Sequence, residues 1–418
     1  MKLAGAVLAC GLVLASSAHV RAQTVSQRGF VEGILWAFPQ TTSNDTTHFI
    51  GDGLAREEVF IKPAGWLRFA AGLDLRANSH DQVESEWRLD FGDRGIRRPR
   101  LSARRLTATL SGGGFNVDIG KQFIRWGQTD IVTPEDRFAP RDFINVISSD
   151  LLPVAGVRAS YQHDADTFEG VWVPRLTPSR VPLLDQRWTA VPQEAVGIPI
   201  LDLGSRFPDG SQIGARWSHV GAGFEYAASF FNGFNNLPNI ESQVVGPAPT
   251  VALLRSYPAI RAFGADTAIP TRWFTLKAEA EYFGSRDVES ASRVPSDDYV
   301  LYVIQLERQS GEWVFIGGYA GEVVTANRSA VAFAPDRGLT KSIVGRASYT
   351  IDPLRSVSFE TAIHQNGRGL YGKAEYSQAR GQHWRFTVSG VGIAGEDDDF
   401  IGQYHRNSNV SVGARYSF

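Results

Sequence analysis

The chain has 418 residues, 42 Lys+Arg against 44 Asp+Glu, 42 Gly, one Cys and an aromatic fraction of 11%. Hydrophobic content of 43% with 21% charge is ordinary for a folded protein, which excludes a disordered, collagen-like or nucleic-acid-coating chain. Such a length suits two or three soluble domains or one large closed sheet, and the pattern along the chain has to decide.

The first element is for export. Met1-Lys2 is a short basic start, Leu3 to Ala15 is apolar, and Val20-Arg21-Ala22 resembles a small-residue cleavage site before Gln23. Residues 1–22 therefore read as a secretory signal peptide and 23–418 as a single barrel domain. The apolar stretch is too short to span a bilayer, which takes about 20 residues in a helix. Val7-Leu8-Ala9-Cys10 also looks like a lipoprotein signal, but it leaves almost no hydrophobic region ahead of the Cys. Cleavage after Ala22 removes the lone Cys10, so no disulfide, Cys metal site or Cys nucleophile is expected. No later run is long and apolar enough for a transmembrane helix, so the mature chain is either secreted and soluble or membrane-spanning by strands.

A two-residue period chooses strands. Leu67, Phe69, Ala71, Leu73, Leu75 and Ala77 alternate with Arg68, Ala70, Gly72, Asp74 and Arg76. The pattern returns at Phe274 to Tyr282, Val300 to Glu307 and Ser356 to His364. The expected strands are 28–37, 54–62, 65–77, 100–110, 115–125, 153–162, 166–174, 212–220, 222–233, 251–264, 272–283, 298–309, 312–321, 341–351, 355–365, 369–379, 383–394 and 408–418. Many are long enough for a tilted crossing of about 9–11 residues. Connectors alternate between long ones (38–53, 78–99, 126–152, 175–211, 234–250, 284–297, 322–340 and 395–407) and tight turns such as 111–114, 310–311 and 352–353. The exception is Asn366-Gly367-Arg368, a tight link where a long one is due. The fold expected is all-β, a transmembrane antiparallel up-and-down barrel of about 16–18 strands, the even count usual for one bacterial chain.

The last strand sets Val410, Val412, Ala414, Tyr416 and Phe418 against Asn409, Ser411, Gly413, Arg415 and Ser417. With that strand the chain resembles Gram-negative outer-membrane β-barrel proteins, and the resemblance implies that Tyr416 and the terminal Phe418 form the signal read by the barrel-assembly machinery. A second resemblance covers Arg100 to Asp142. Gly120-Lys121-Gln122, Trp126-Gly127 and Pro140-Arg141-Asp142-Phe143 look like the strand and long loop of porin-like and alginate-export-like barrels. That likeness implies a loop 126–152 that folds inward and presents Arg125, Asp130, Glu135, Asp136, Arg137, Arg141 and Asp142 to solute. The alternative is an interfacial Trp126 on a loop that only covers the mouth.

Inward positions along the strands give lumen candidates: basic Arg68, Arg76, Arg105, Arg158, Arg216, Lys277, Arg346, Lys373, Arg385 and Arg415, and acidic Asp74, Asp118, Glu225, Glu279, Glu281, Glu307, Glu360 and Glu375. The signs are too balanced to name an anion or a cation channel. Placing such charges toward lipid costs about 2–4 kcal/mol for Arg or Lys at the midplane, so they line water or one another. Trp66, Trp172, Trp217, Trp313, Tyr349, Trp384 and Tyr416 fall where interfacial girdles sit. Glu396-Asp397-Asp398-Asp399 reads as a solvated acidic loop, with a divalent-cation bridge to lipopolysaccharide the alternative. Glu360 and His364 are about 13 Å apart along one strand face, too far for direct bonding.

These observations lead to a porin-like outer-membrane channel of a Gram-negative bacterium, passing small hydrophilic solutes passively or with weak selectivity. Expected partners are outer-membrane lipid, lipopolysaccharide, the barrel-assembly machinery and small polar solutes, with no nucleic acid; a homo-oligomer stays open. Export of a polymer or amphiphile is the alternative and would show a continuous arginine track. An outer-membrane hydrolase is a third reading, but no Ser, His and Asp spacing supports an enzyme. No cofactor and no metal site is expected, since no phosphate loop, dinucleotide fingerprint or zinc pattern occurs.

Overall fold

Alternation sorts the side chains of each strand onto two faces, and a sheet that is apolar on one face and charged on the other has to close before it can stand in a bilayer. The protein, seen as a computed structural model, does close. It describes residues 24–190, 197–246, 250–285, 297–326 and 337–418, so the expected signal peptide with Cys10 lies outside the described residues.

Eighteen antiparallel strands form the wall. They are β1 (Thr24–Ala37), β2 (Phe49–Ala64), β3 (Leu67–Asn78), β4 (Leu101–Gly112), β5 (Phe115–Gln122), β6 (Val154–His163), β7 (Asp166–Val173), β8 (Gln212–Gly221) and β9 (Phe224–Phe234). The second half is β10 (Ala259–Pro270), β11 (Thr275–Ser285), β12 (Asp298–Ser310), β13 (Trp313–Ala326), β14 (Ser342–Asp352), β15 (Arg355–His364), β16 (Gly369–Arg380), β17 (Trp384–Gly395) and β18 (Asn409–Ser417). Each pairs with its sequence neighbour, and β1 closes the ring on β18 with Phe30 opposite Ser417 and Ala37 opposite Val410. Phe418 extends the closure, since its N–H and C=O both bond to Gly29 at 3.0 Å.

The strand count falls within the expected range, with one strand displaced. The expected strand 251–264 joins two separate elements. Thr250–Ser256 belongs to a three-stranded sheet in the long connector, with Ile200–Arg206 and Asn239–Val245, and the wall strand begins at Ala259. The break falls at Tyr257-Pro258, because proline has no N–H to give a central ladder. The expected strand 115–125 ends early, at Gln122. The tight link at 366–368 is real: Gly367 N bonds His364 O at 2.9 Å and takes a positive φ of 73°.

Outward positions carry exposed Val31, Leu35, Phe69, Leu73, Ile304, Leu306, Val410 and Val412, with Trp66, Trp172, Trp217, Trp384 and Tyr416 exposed as well. Apolar cores sit inside the barrel, where long connectors fold in. One joins Ile124, Trp126 and Phe138 to Val154, Val171, Phe231, Ile260 and Phe283 of the wall; another joins Trp188 and Ile401 to Trp36, Ile50, Val344, Ala362 and Val391.

Candidate pore constriction

The strand β5 ends where Gly120 adopts φ of 118°, a conformation open to glycine, and the chain then leaves the wall for the lumen. The first part of segment 123–153 packs on β7 to β12. Trp126 is buried, its indole N–H donates to Glu169, and its ring meets Phe138 edge-on at 5.2 Å. Both rings lie over Gly214, where a Cβ would come within 2.5 Å of Trp126 and 2.6 Å of Phe138.

Polar bonds then fasten the loop to the wall. Glu279 of β11 accepts from Thr129 Oγ1 at 2.7 Å, Glu135 N at 2.7 Å, Gln128 N at 3.2 Å and Thr129 N at 3.3 Å. Asp130 pairs with Lys277 at 2.8 Å, and its N–H donates to Gln305 at 3.0 Å. Glu135 is fully buried over Gly264 and accepts from Ser229 Oγ. Burial, and after it the neighbouring Asp266, raise the Glu135 carboxyl well above the ordinary range. Ile131, Val146 and Ile147 pack against the apolar cluster of the far wall, so the segment crosses the lumen.

The loop charges expected at the solute path divide. Arg125 keeps half of its side chain exposed beside Asp136 at 3.2 Å, and Asp130 and Arg141 are partly accessible. Glu135, Asp136 and Asp142 are turned into packed interior, which corrects their expected exposure. Arg137 is largely covered too, 3.2 Å from Glu281 with its guanidinium 4.7 Å above the Phe283 ring. The physical reason is desolvation: a carboxylate in a dry cavity needs donors or a counter-ion, and the wall and neighbouring loops supply them. Asp142 shows this best. Burial opposes its charge, but Arg98 at 2.9 Å and Arg180 at 3.2 Å override burial and hold its carboxyl below the usual range. Asp93 adds a second anion to Arg180 at 2.8 Å and takes Lys121 at 2.6 Å, tying three loops to the end of β5.

Wall candidates divide the same way. Glu279 and Glu281 lie beneath the loop and are 2% exposed, so they do not line water. Arg158 pairs with Glu169 and Arg346 with Glu360 across neighbouring strands, and Arg216 of β8 reaches past β9 to Asp266 of β10. Arg76 reaches Asp150 of the loop at 3.1 Å and Asp74 at 3.6 Å. Arg68, Arg105, Arg385 and Arg415 form no ion pair among the described residues. Arg105 stacks over Phe123 at 5.6 Å, Arg415 over Phe30 at 3.6 Å, and Arg385 reaches only Ser377 Oγ at 3.2 Å.

Sequence reading missed Arg56 and Arg104. Arg56 bonds Asp74 through Nε at 2.7 Å and Nη2 at 2.8 Å; it sits beside Glu57-Glu58, which blurs the alternation. Arg104 and Arg105 stack on Phe123 together because the β3–β4 register shifts between Gly72 and Leu73. Two adjacent charges in an alternating strand were the available sign.

No family model and no curated protein matches the chain in sequence. Solved structures do match. OpdQ of Pseudomonas aeruginosa is similar at a TM-score of 0.54 and 10% identity, over 96% of this chain and 99% of that one. A BenF-like porin of Pseudomonas fluorescens Pf-5 gives 0.55 and 9%, over 96% and 99%. OpdK of P. aeruginosa, in a structure with vanillate, gives 0.50 and 13%, over 94% and 98%. With the strand closure and the inward loop, these likenesses establish that the chain has the fold of porin-type outer-membrane barrels.

Proposed function

We propose that the protein is a channel of the Gram-negative outer membrane that passes small hydrophilic solutes along a guanidinium-lined wall. The observation that carries this reading is the asymmetry of the lumen. Segment 123–153 covers the carboxylate-rich wall of β9 to β11, while on the side left open Arg68, Arg105 and Arg385 form no ion pair among the described residues and Arg415 stacks on Phe30 with Glu32 opposite it across the seam. Unpaired cations beside a narrowed aqueous path raise the local concentration of anions. Arg385 and Arg415 stand directly opposite each other, a like-charge pair that costs stability and that a passing anion would relieve.

Because the loop crosses the lumen, the geometry favours small solutes over a polymer. The test is conductance of the refolded protein in a planar bilayer. A modest anion preference at low salt is expected, together with block by a small carboxylate such as vanillate. Absence of single-channel steps from heat-modifiable, folded protein would sink the reading.

A further inference from the structure

The three-stranded sheet in the long connectors has Thr250–Ser256 at its centre, so Ile200–Arg206 is an edge that pairs on one side only among the described residues. Such an edge is a row of free backbone donors and acceptors, which proteins usually cover or blunt. The register shows which groups are free. Val251 N bonds Pro199 O at 2.9 Å, and in parallel pairing Ile200 lies beside Val251, Leu201 beside Ala252 and Asp202 beside Leu253. The N–H and C=O of one residue point the same way and the direction alternates along a strand. The backbone groups of Leu201 therefore enter the ladder, and those of Ile200 and Asp202 turn to the open edge. The open stretch ends at Gly204, whose N–H is taken by Asp202 Oδ1 at 2.8 Å.

A groove of about 820 Å³ follows this edge. Ile198, Ile200, Asp202 and Gly204 line it, whereas no described residue of Thr250–Ser256 or Asn239–Val245 does, so the space lies beside the edge and not over a face of the sheet. Ile96, Leu183 and Leu184 complete an apolar lining. An extended chain presents donors and acceptors at the spacing of a strand edge, which singles out a polypeptide as the occupant. Charge narrows its kind. Arg97 is taken by Asp81 at 2.7 Å, and Asp202 by Arg255 at 2.7 and 3.1 Å. Glu84 stands in the fields of Arg88 and Arg180. Asp185 is exposed and forms no ion pair among the described residues, so the charge left uncommitted in the groove is negative.

We propose that this groove takes a partner polypeptide as an added strand. An extended segment of the partner pairs with Ile200 and Asp202 through its backbone, sets apolar side chains on Ile96, Leu183 and Leu184, and brings a basic side chain to Asp185. In the channel reading above the long connectors stand outside the cell, so the partner is extracellular; its origin rests on that reading, but the pairing does not.

The experiment uses a capped, fluorescent hexapeptide of alternating valine and lysine, with binding to the folded barrel in detergent read by anisotropy. Saturable binding is expected. A copy N-methylated at every backbone amide keeps its side chains and charge but donates nothing along the edge, and should bind about tenfold or more weakly. A valine–glutamate copy should be weakened as well. Ile200→Pro removes an N–H that points to the open edge and leaves the ladder to Thr250–Ser256 in place, so it should lower affinity by a similar factor. Leu201→Ser, on the same strand but outside the groove lining, should not. No saturable binding, equal binding of the N-methylated or the glutamate copy, or full binding to Ile200→Pro would overturn the proposal. Self-association of the barrel that Ile200→Pro abolishes would overturn it too, by giving the edge to a second copy. If Ile200→Pro fails to fold, the N-methylated copy on the unaltered protein still decides. Peptide binding without conductance would remove the channel reading and keep the groove; conductance without peptide binding would do the reverse.

Discussion

The two sides of the lumen come from one rule of alternation and end in opposite states. On β11, Lys277, Glu279 and Glu281 are inward-facing charges at every second residue; on β3, Arg68, Asp74 and Arg76 stand in the same relation. The β11 carboxylates are dry, covered by segment 123–153, while Arg68 on β3 is exposed. The covered wall offers acceptors and the loop brings backbone N–H groups that water no longer serves, so Glu279 alone satisfies four donors. The open wall offers guanidiniums steadied by stacking on Phe30, Phe60 and Phe123. Inward-facing is thus a property of the strand, whereas water-facing is a property of what folds over it.

The sharpest way to break this contrast is to unseat the loop. Glu279→Ala would strand buried donors at Gln128, Thr129 and Glu135, each at about 1–3 kcal/mol. Loss of roughly 3 kcal/mol or more should release the segment while the hydrogen-bonded wall persists. Single-channel conductance should rise clearly, and proteolysis should cut within 123–153 while the folded barrel still migrates as a heat-modifiable band. Conductance equal to the unaltered protein would show that Glu279 does not hold the constriction.

The next effect is on pH. The Glu135 carboxyl is raised, so it favours the seated loop at low pH, and that contribution is lost as pH rises from about 4.5, its ordinary value, through its elevated value. Asp142 is lowered, so its contribution is present above its ordinary value of 3.8 and is lost below it. Conductance should therefore be smallest near pH 4 to 5, about where the two ordinary values meet, and grow toward both extremes. Glu135→Gln, which keeps a neutral group over Gly264, should flatten the alkaline limb only. An alkaline limb of the same height in Glu135→Gln would assign that dependence to another group.

Much of the fold was legible because a barrel wall repeats one local instruction: period two, tight turns on one side, long loops on the other. What failed was local too, at Tyr257-Pro258, where two apolar stretches abut and the strand start moved by several residues. The site was less legible. Trp126-Gly127 and the Pro-rich segment marked the loop, yet nothing in its charges told Asp130, which meets Lys277 at a partly exposed position, from Asp142, which is buried between Arg98 and Arg180. Those partners lie elsewhere in the chain, Arg180 and Arg98 in other connectors 38 and 44 residues away and Lys277 on β11, 147 residues away. Cover depends on such distant contacts, and alternation carries no record of them.

A smaller effect tests the open wall. Replacing Arg385 and Arg415 together with Gln should leave conductance nearly unchanged and shift the reversal potential toward cations at low salt. At 1 M salt, where the screening length is about 3 Å, the difference should largely vanish. A shift that persists undiminished at high salt would mean the arginines act by shaping the path, not by their field.

The smallest expected effect on the pore lies at the seam between β1 and β18, away from both walls. Phe418 bonds Gly29 through both backbone groups, and its ring lies over that glycine, 2.6 Å from where a Cβ would stand, with Glu57 on the other side. A side chain at Gly29 must displace the ring or the carboxylate, whereas no inward-facing charge touches this place. Gly29→Ala should thus weaken the last step of closure and lower the folded amount recovered from membranes. Deletion of Phe418 should lower it further, because it also removes two backbone bonds, each contributing about 0.5–1.5 kcal/mol. In both variants the molecules that do insert should conduct with unaltered amplitude and selectivity. Normal folded yield combined with changed selectivity would place the terminal aromatic in the service of the pore instead of the seam.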